Sequence, residues 1–234
     1  MVVMARPALR IAIVGAESTG KTALAQALTR RITSLTGLRC TWVGEWLREW
    51  CERAQRTPLQ HEQAAIASHQ HDLIDAAAAS HDVVICDTTA LMTAVYSDLL
   101  FDDRSLVPFA AAQQRRCDLT LLTALDIEWV ADGLQRDGPQ VRPPVDDRVR
   151  ALLIGHQLPW ALVAGQGDAR VEAALDAVAP LLRQRSAAGN GLFTRLAERD
   201  ASAAAQRWVC NDCDDPGCEH SLRQMGRESH SARR

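Results

Sequence analysis

The sequence predicts an α/β fold in which helices cover both faces of a doubly wound, parallel five-stranded sheet. Short apolar segments alternate with helical patterns over residues 1–185, and most of these segments are apolar at nearly every position. Strands that are buried on both faces have this composition. The chain of 234 residues is long enough for one such domain with additions. We therefore expect one domain at 1–185 and a C-terminal extension at 186–234.

The first half of the domain contains three predicted strands, each followed by a helix. Leu24, Leu28 and Ile32 recur at the spacing of a single helix face. Gly37 follows them and favours the end of that helix. The strands are predicted at 9–14, 38–43 and 82–87, and the helices at 19–36, from about 45, at 58–80 and at 91–100.

The second half continues this alternation around one long interruption. Residues 126–147 are rich in Gly, Pro and charged residues, a composition that is typical of a loop or a lid over a site. Pro180 should kink or split the last helix. The remaining predicted elements are helices at 106–116, 146–154 and 169–185 and strands at 118–122 and 159–163.

The clearest motif follows the first predicted strand, where residues 15–22 read GAESTGKT and fit the Walker A pattern GxxxxGK[ST]. Backbone N–H groups of such a loop, together with the next helix, bind the phosphates of a nucleotide. Lys21, the only lysine in the chain, would reach the β- and γ-phosphates, and Thr22 would ligate Mg²⁺. This motif predicts a P-loop NTPase that binds ATP and Mg²⁺ through Gly15, Ala16, Glu17, Ser18, Thr19, Gly20, Lys21 and Thr22.

Asp87 ends the third predicted strand. If that strand lies beside the first, the Asp87 carboxylate reaches the Mg²⁺ and γ-phosphate region, as a Walker B acid does. Asp87 alternatively caps the following helix, a role that Thr88 or Thr89 would also fill.

Glu45 and Arg48 follow the second predicted strand. Ligands of open α/β sheets bind at the carboxyl ends of strands, so both side chains are candidates for an acceptor site. Glu45 would accept the proton of an attacking hydroxyl or orient that hydroxyl. The alternative is a solvated helix start whose acids favour the helix dipole.

The predicted lid region and its surroundings carry further candidate side chains. Arginines there would neutralise charge on a transferring phosphoryl group, although a surface position is the alternative for each. Tryptophans near the site are either core residues or flat platforms for a cationic ring. The arginines are Arg136, Arg142 and Arg148, and the tryptophans are Trp46, Trp50 and Trp129.

The C-terminal extension contains a cluster of possible zinc ligands. Three cysteines and a histidine at short spacings have the ligand types of a Cys₃His site, and the alternative is a loosely ordered tail. Three other histidines do not align on one helix face, so we expect them at the surface or at caps. The cluster is Cys210, Cys213, Cys218 and His220, and the other histidines are His61, His69 and His71.

Composition and net charge limit the classes of partner that the chain is expected to bind. The net charge of −3 provides no overall basic character for nucleic acid binding. No apolar run approaches the roughly 20 residues of a membrane span, and residues 1–10 lack the apolar region of a signal peptide. We expect a cytoplasmic protein that binds neither nucleic acid nor membrane.

Four segments, taken in order, resemble the nicotinamide riboside (ribosylnicotinamide) kinase domain of the bacterial NadR-type P-loop kinase family. The resemblance covers about residues 10–182. Larger family members carry an adenylyltransferase domain and some a DNA-binding domain, and neither is expected here. The segments are GAESTGKT, GEWLREW, DTTALMTAVYSD and DLTLLTALDIEWVADGLQRDGPQVR.

The resemblance implies a kinase that uses MgATP to phosphorylate the 5′-hydroxyl of nicotinamide riboside, which gives nicotinamide mononucleotide for NAD salvage. The competing hypothesis is a regulatory P-loop ATPase that acts as a nucleotide-dependent switch through its C-terminal tail. For the kinase, the implied catalytic residues are Lys21, Asp87, Glu45 and Arg136, and the implied acceptor-binding residues are Glu45, Arg48, Trp129 and Asp132.

Overall fold

The computed structural model describes residues 7–130 and 138–185. Its five strands form one parallel sheet in the order β2-β3-β1-β4-β5, which confirms the predicted fold class. The strands are β1 (Leu9–Val14), β2 (Cys40–Val43), β3 (Val83–Asp87), β4 (Leu119–Thr123) and β5 (Trp160–Val163).

Helices connect these strands. Short 3₁₀ turns at Gln60–Glu62 and Pro139–Val141 precede two of the helices. Within the described ranges, no helix has the length and apolar character needed to cross a bilayer. The helices are α1 (Lys21–Thr36), α2 (Trp46–Ala54), α3 (Gln63–Ala78), α4 (Ala90–Phe101), α5 (Val107–Gln114), α6 (Arg142–Gly155) and α7 (Gly167–Arg185).

Burial follows strand position in the sheet. Ile11 and Ile13 of β1 and Ile85 of β3 are fully buried, because these inner strands are covered on both faces. The outer strands β2 and β5 are less enclosed, and they leave Trp42 and Leu162 exposed. The apolar segments that predicted the strands therefore mark the centre of the core.

The strand order brings three chain segments together at the carboxyl edge of the sheet. In the parallel register, Ile13 of β1 pairs with Asp87 of β3, and Val43 of β2 pairs with Cys86 of β3. The N–H of Thr88 donates to the carbonyl of Ile13 at 3.0 Å. The segments that follow β2, β3 and β1 are consequently neighbours, as the ligand-binding edge of an open α/β sheet requires.

Two predictions about the helices were wrong, and several other element bounds differ by a few residues. Helix α6 begins at Arg142, so the last part of the predicted lid at 126–147 is helical. Pro143 and Pro144 lie in its first turn, where the N–H groups have no intrahelical partner and proline is tolerated. Pro180 does not split α7, which runs as one helix to Arg185. Burial of that helix against the core outweighs the hydrogen bond that the proline removes.

Candidate active site

The phosphate-binding loop, residues 15–22, requires glycine at positions 15 and 20. Gly15 has a φ of +146°, and a Cβ at this position would overlap Oγ1 of Thr123 and lie 3.2 Å from the Thr123 carbonyl oxygen. Gly20 has a φ of +75° at the N-cap of α1, in the left-handed region that favours glycine. The motif glycines therefore fit the backbone conformation of this loop.

Side chains of β4 and of the loop itself hold the loop in shape. The buried Thr19 hydroxyl donates to the Ala16 carbonyl at 2.8 Å and lies 2.7 Å from the hydroxyl of Thr123. The Thr123 hydroxyl is also 3.2 Å from the Val14 carbonyl. The Thr19 hydroxyl thus joins the loop to the end of β4. Thr123 is absent from the sequence-based site, because a threonine at the end of an apolar strand carries no distinguishing signal.

Lys21 lies over the same loop. Its ammonium donates to the Ala16 carbonyl at 2.8 Å, and its charge opposes the rise in the pKa of Asp87. A lysine is a compact charge on a flexible stem. Exchange of the Ala16 carbonyl for a phosphate oxygen therefore requires only rotation of this side chain.

Asp87 is almost fully buried at the end of β3. Burial raises the pKa of its carboxyl, and this shift is opposed by a hydrogen bond from Thr22 and by the charges of Lys21 and Arg48. The adjacent helix α4 is capped by Thr89, whose hydroxyl accepts the Leu91 N–H at 3.3 Å. The capping alternative for Asp87 is therefore wrong.

The Thr22 and Asp87 pair fits a magnesium site. Mg²⁺ prefers oxygen ligands and is held in P-loop proteins by the motif hydroxyl and a Walker B acid. Within the described part of the chain, Oδ1 of Asp87 has no hydrogen-bond partner. A buried carboxylate oxygen in this state is stabilised by a cation. The P-loop NTPase fold in general implies ATP and Mg²⁺ binding.

Glu45 and Arg48 form an ion pair at the start of α2. The Nε atom of Arg48 is 3.9 Å from Oε2 of Glu45, and the Glu45 side chain is only 15% exposed. The charge of Arg48 also opposes the rise that burial causes in the pKa of Asp87. Glu45 is the N-cap residue of α2 but makes no side-chain capping bond. Neither the burial of its carboxylate nor its pairing with Arg48 fits a solvated helix start.

Gln70 of α3 holds the segment that contains Glu45. Its Oε1 accepts the N–H of Trp46 at 2.7 Å, and its Nε2 donates to the carbonyl of Gly44 at 3.1 Å. Sequence reasoning missed this residue, although a signal exists. Gln70 shares a buried helix face with apolar residues, and buried amides are hydrogen-bonded. The identity of the partner, more than 20 residues away, is not encoded locally.

The segment at the start of the predicted lid contacts the phosphate-binding loop. The N–H of Val130 donates to the Ser18 hydroxyl at 2.8 Å, and a Cβ at Gly20 would lie 3.3 Å from Cδ1 of Ile127. The Nε1 atom of Trp129 is buried, with no hydrogen-bond partner among the described residues. Asp132 and Arg136, which the sequence analysis assigned to this site, lie outside the described residues.

The two other candidate arginines differ. Arg142 is 6% exposed and donates through Nη1 to the Ile127 carbonyl at 2.8 Å, whereas its Nε and Nη2 have no partner in the ranges described. Arg148 pairs with Asp98 of α4 at 2.8 Å. Asp98 also binds Arg104. Arg142 therefore stays a candidate for anion binding, and Arg148 has a structural role.

The candidate tryptophans of α2 stack on side chains of the chain itself. Trp46 lies 4.1 Å from the His69 ring and 5.0 Å from the Arg53 guanidinium. Trp50 lies 4.9 Å from the guanidinium of Arg56. Both indoles are half-buried, so they are neither enclosed core residues nor open platforms.

The histidines and cysteines give no metal site in the described residues. His71 lies 3.2 Å from Asp75, and its side chain is only 13% exposed, so the expectation of a surface or capping histidine is wrong there. No group of three possible ligands occurs within 7–130 and 138–185. Cys210, Cys213, Cys218 and His220 lie outside the described residues.

Comparison with known proteins supports the fold and the phosphate-binding loop. The structure is similar to one described as the crystal structure of NadR protein in complex with NR, with a TM-score of 0.60 and 22% sequence identity. That match covers 73% of this chain and 50% of that chain, so the protein spans half the length of its structural relative. No curated protein matches in sequence. The family described as AAA domain matches residues 10–170, and the chain therefore belongs to the AAA domain family.

Proposed function

We propose that the chain is an ATP-dependent small-molecule kinase that phosphorylates the 5′-hydroxyl of nicotinamide riboside to give nicotinamide mononucleotide in the cytoplasm. One observation carries the proposal: Asp87, which accepts a hydrogen bond from Thr22 of the phosphate-binding loop, feels the charge of Arg48, and Arg48 pairs with a second, mostly buried carboxylate, that of Glu45. A phosphoryl donor and an acceptor hydroxyl need this arrangement. The similar NadR structure, which holds NR, the abbreviation of nicotinamide riboside, supports the same acceptor.

The donor side rests on the phosphate-binding loop. Its backbone N–H groups and Lys21 would bind the β- and γ-phosphates of ATP. Thr22 and Asp87 would hold Mg²⁺, and the bound ion neutralises charge on the phosphate oxygens. The charges of Lys21 and Arg48 oppose the rise that burial causes in the pKa of Asp87, and a bound metal would favour its ionised form further.

The acceptor side rests on Glu45. Its carboxylate would orient the 5′-hydroxyl and accept the hydroxyl proton while the hydroxyl oxygen forms a bond to the γ-phosphorus. The bond from that phosphorus to the β–γ bridging oxygen breaks, and ADP leaves with the electron pair. Arg48 would orient Glu45 at the start of the reaction, since its Nε lies 3.9 Å from Oε2 of Glu45.

The residues at 127–142 would close the site. Trp129 offers a flat ring for the cationic pyridinium of the acceptor, and Asp132 a charge of opposite sign. Arg136 and Arg142 are the donors for charge on the transferring phosphoryl group. Arg142 has the additional support of two buried nitrogens without a partner in the described residues.

A nucleoside panel tests the proposal. The full chain is incubated with MgATP and each nucleoside, ADP formation is followed, and products are identified by mass spectrometry. Nicotinamide riboside should accelerate ADP release and gain one phosphate, and Lys21→Ala should lose this activity. If no nucleoside yields a phosphorylated product, the kinase proposal is wrong. ATP hydrolysis that ignores every acceptor would instead favour the regulatory ATPase.

A further inference from the structure

We propose that Gln70 is a positioning residue for phosphoryl transfer and that it fixes the direction of the Glu45 side chain toward the acceptor hydroxyl. This inference rests on the proposed kinase function. Gln70 lies on a different element from Glu45, and no motif includes it. Its amide is 3% exposed and binds the backbone on both sides of Glu45.

The two hydrogen bonds control the two rotations that orient Glu45. The Gly44 carbonyl belongs to the peptide unit before the Glu45 Cα, and the Trp46 N–H belongs to the peptide unit after it. Rotation about φ of Glu45 moves the first unit relative to the Cα, and rotation about ψ moves the second. One amide that binds both units therefore holds φ at −73° and ψ at 106°, and with them the direction of the Cα–Cβ bond.

Gln70 also satisfies the first N–H group of α2. The first N–H groups of a helix lack intrahelical partners, and the N-cap side chain commonly binds one of them. Glu45 makes no such bond, and the first N–H of α2, that of Trp46, is bound by Gln70 of α3. The Glu45 carboxylate lies instead near the Arg48 side chain, with Oε2 3.9 Å from Nε.

The anchoring of Gln70 makes this contact rigid. Ile66 and Ile74, one turn before and after it on α3, are 2% and 4% exposed. Burial excludes water that would otherwise compete for the amide. An error of about 1 Å in the placement of a reacting group is enough to cost about 100-fold in rate. The contact therefore has the precision that a catalytic carboxylate needs.

Gln70→Met and Gln63→Met form a matched pair for the test. Gln63 lies on the same face of α3 and is 2% exposed, and its Oε1 has no hydrogen-bond partner in the described part of the chain. Both substitutions exchange a buried amide for an apolar side chain of similar length. The readouts are kcat and KM for each substrate, the Kd of MgATP, and hydrogen exchange at the Trp46 amide.

Gln70→Met should lower kcat by about 30- to 100-fold relative to Gln63→Met, while the Kd of MgATP stays within about twofold. It should also accelerate exchange at Trp46, and Gln63→Met should not. Equal kcat values for the two variants, or an unchanged exchange rate at Trp46, would overturn the inference. A wild type with no acceptor-dependent ADP formation would overturn the proposed function instead, and the exchange rates would then decide alone whether Gln70 holds this segment.

Discussion

Two regions meet at the carboxyl edge of the sheet, and they are built differently. The phosphate-binding loop at 15–22 takes its shape from a contiguous motif, with glycines where φ is positive and a lysine that folds over the loop. The acceptor segment at 44–48 takes its shape from one amide of a distant helix, Gln70. The first region is therefore encoded by neighbouring residues, whereas the second depends on a contact between distant parts of the chain.

Because the two regions are built differently, substitutions in them should affect different steps. Changes in the phosphate-binding loop should affect nucleotide binding and every later step. Changes at the acceptor segment should affect transfer and leave nucleotide binding intact. The following substitutions test that separation on the nucleotide side, in order of decreasing effect.

The largest effect is expected at Lys21. Lys21→Ala removes the charge proposed to face the β- and γ-phosphates, and the loss of one such electrostatic contact costs about 100- to 1,000-fold in kcat. Lys21→Arg should recover little, because a broad, planar guanidinium does not replace the compact ammonium in this loop. Initial rates of ADP formation measure both variants, with thermal unfolding as the check on folding. Activity of Lys21→Arg close to wild type would contradict the placement of the phosphates.

Asp87→Asn should lower activity by about 100-fold, because it removes a ligand charge from the magnesium site. It should at the same time raise the free energy of unfolding at neutral pH without Mg²⁺. Burial raises the pKa of Asp87 in the folded state, so the stability it contributes is present in acid and is lost as pH rises through the raised pKa. The amide of asparagine does not ionise, so the variant does not lose stability in this way as pH rises.

Urea unfolding of wild type and Asp87→Asn over a range of pH measures this effect. The stability advantage of the variant should grow as pH rises above the ordinary aspartate pKa and vanish in acid. A variant that is less stable than wild type at neutral pH, in the absence of Mg²⁺, would show that Lys21 and Arg48 outweigh the burial of Asp87.

Gly15→Ala should weaken MgATP binding by about tenfold and destabilise the fold by about 3 kcal/mol. Its Cβ would overlap the Thr123 hydroxyl, and Thr123 is itself bound to the loop. Gly37→Ala is the control, because Gly37 also has a positive φ, +68°, but a Cβ there would meet no atom within 4 Å. It should cost about 1 kcal/mol and leave MgATP binding unchanged. Equal losses of stability and of MgATP affinity in the two variants would show that the positive φ, and not the overlap with Thr123, excludes alanine at position 15.

The sequence predicted the fold well where the signal is local. Strand β1 has the predicted bounds, and the strand order places Asp87 beside the phosphate-binding loop. The start of α6 was missed because Pro143 and Pro144 read as a loop, although the first turn of a helix tolerates proline. Tertiary burial likewise overrode the signal of Pro180.

Residues of the candidate site were predictable from the sequence where their contacts are with residues close to them in the chain. The motif identified Lys21 and Thr22 directly. Glu45 followed from its place after a strand, but Gln70 lies 24 residues beyond the N–H that it binds. Thr123 lies 104 residues from its partner Thr19. No short pattern encodes pairs of this kind, so only the folded chain identifies them.

Glu45→Gln, assayed for MgATP binding and for phosphoryl transfer on the same preparation, tests the separation of the two regions most directly. The variant keeps the shape of the side chain and removes the proton acceptor. We predict a fall in kcat for nicotinamide riboside phosphorylation of about 100-fold with a Kd of MgATP within about twofold of wild type. A kcat equal to that of wild type, or a Kd that rises in proportion to the loss of activity, would contradict the account.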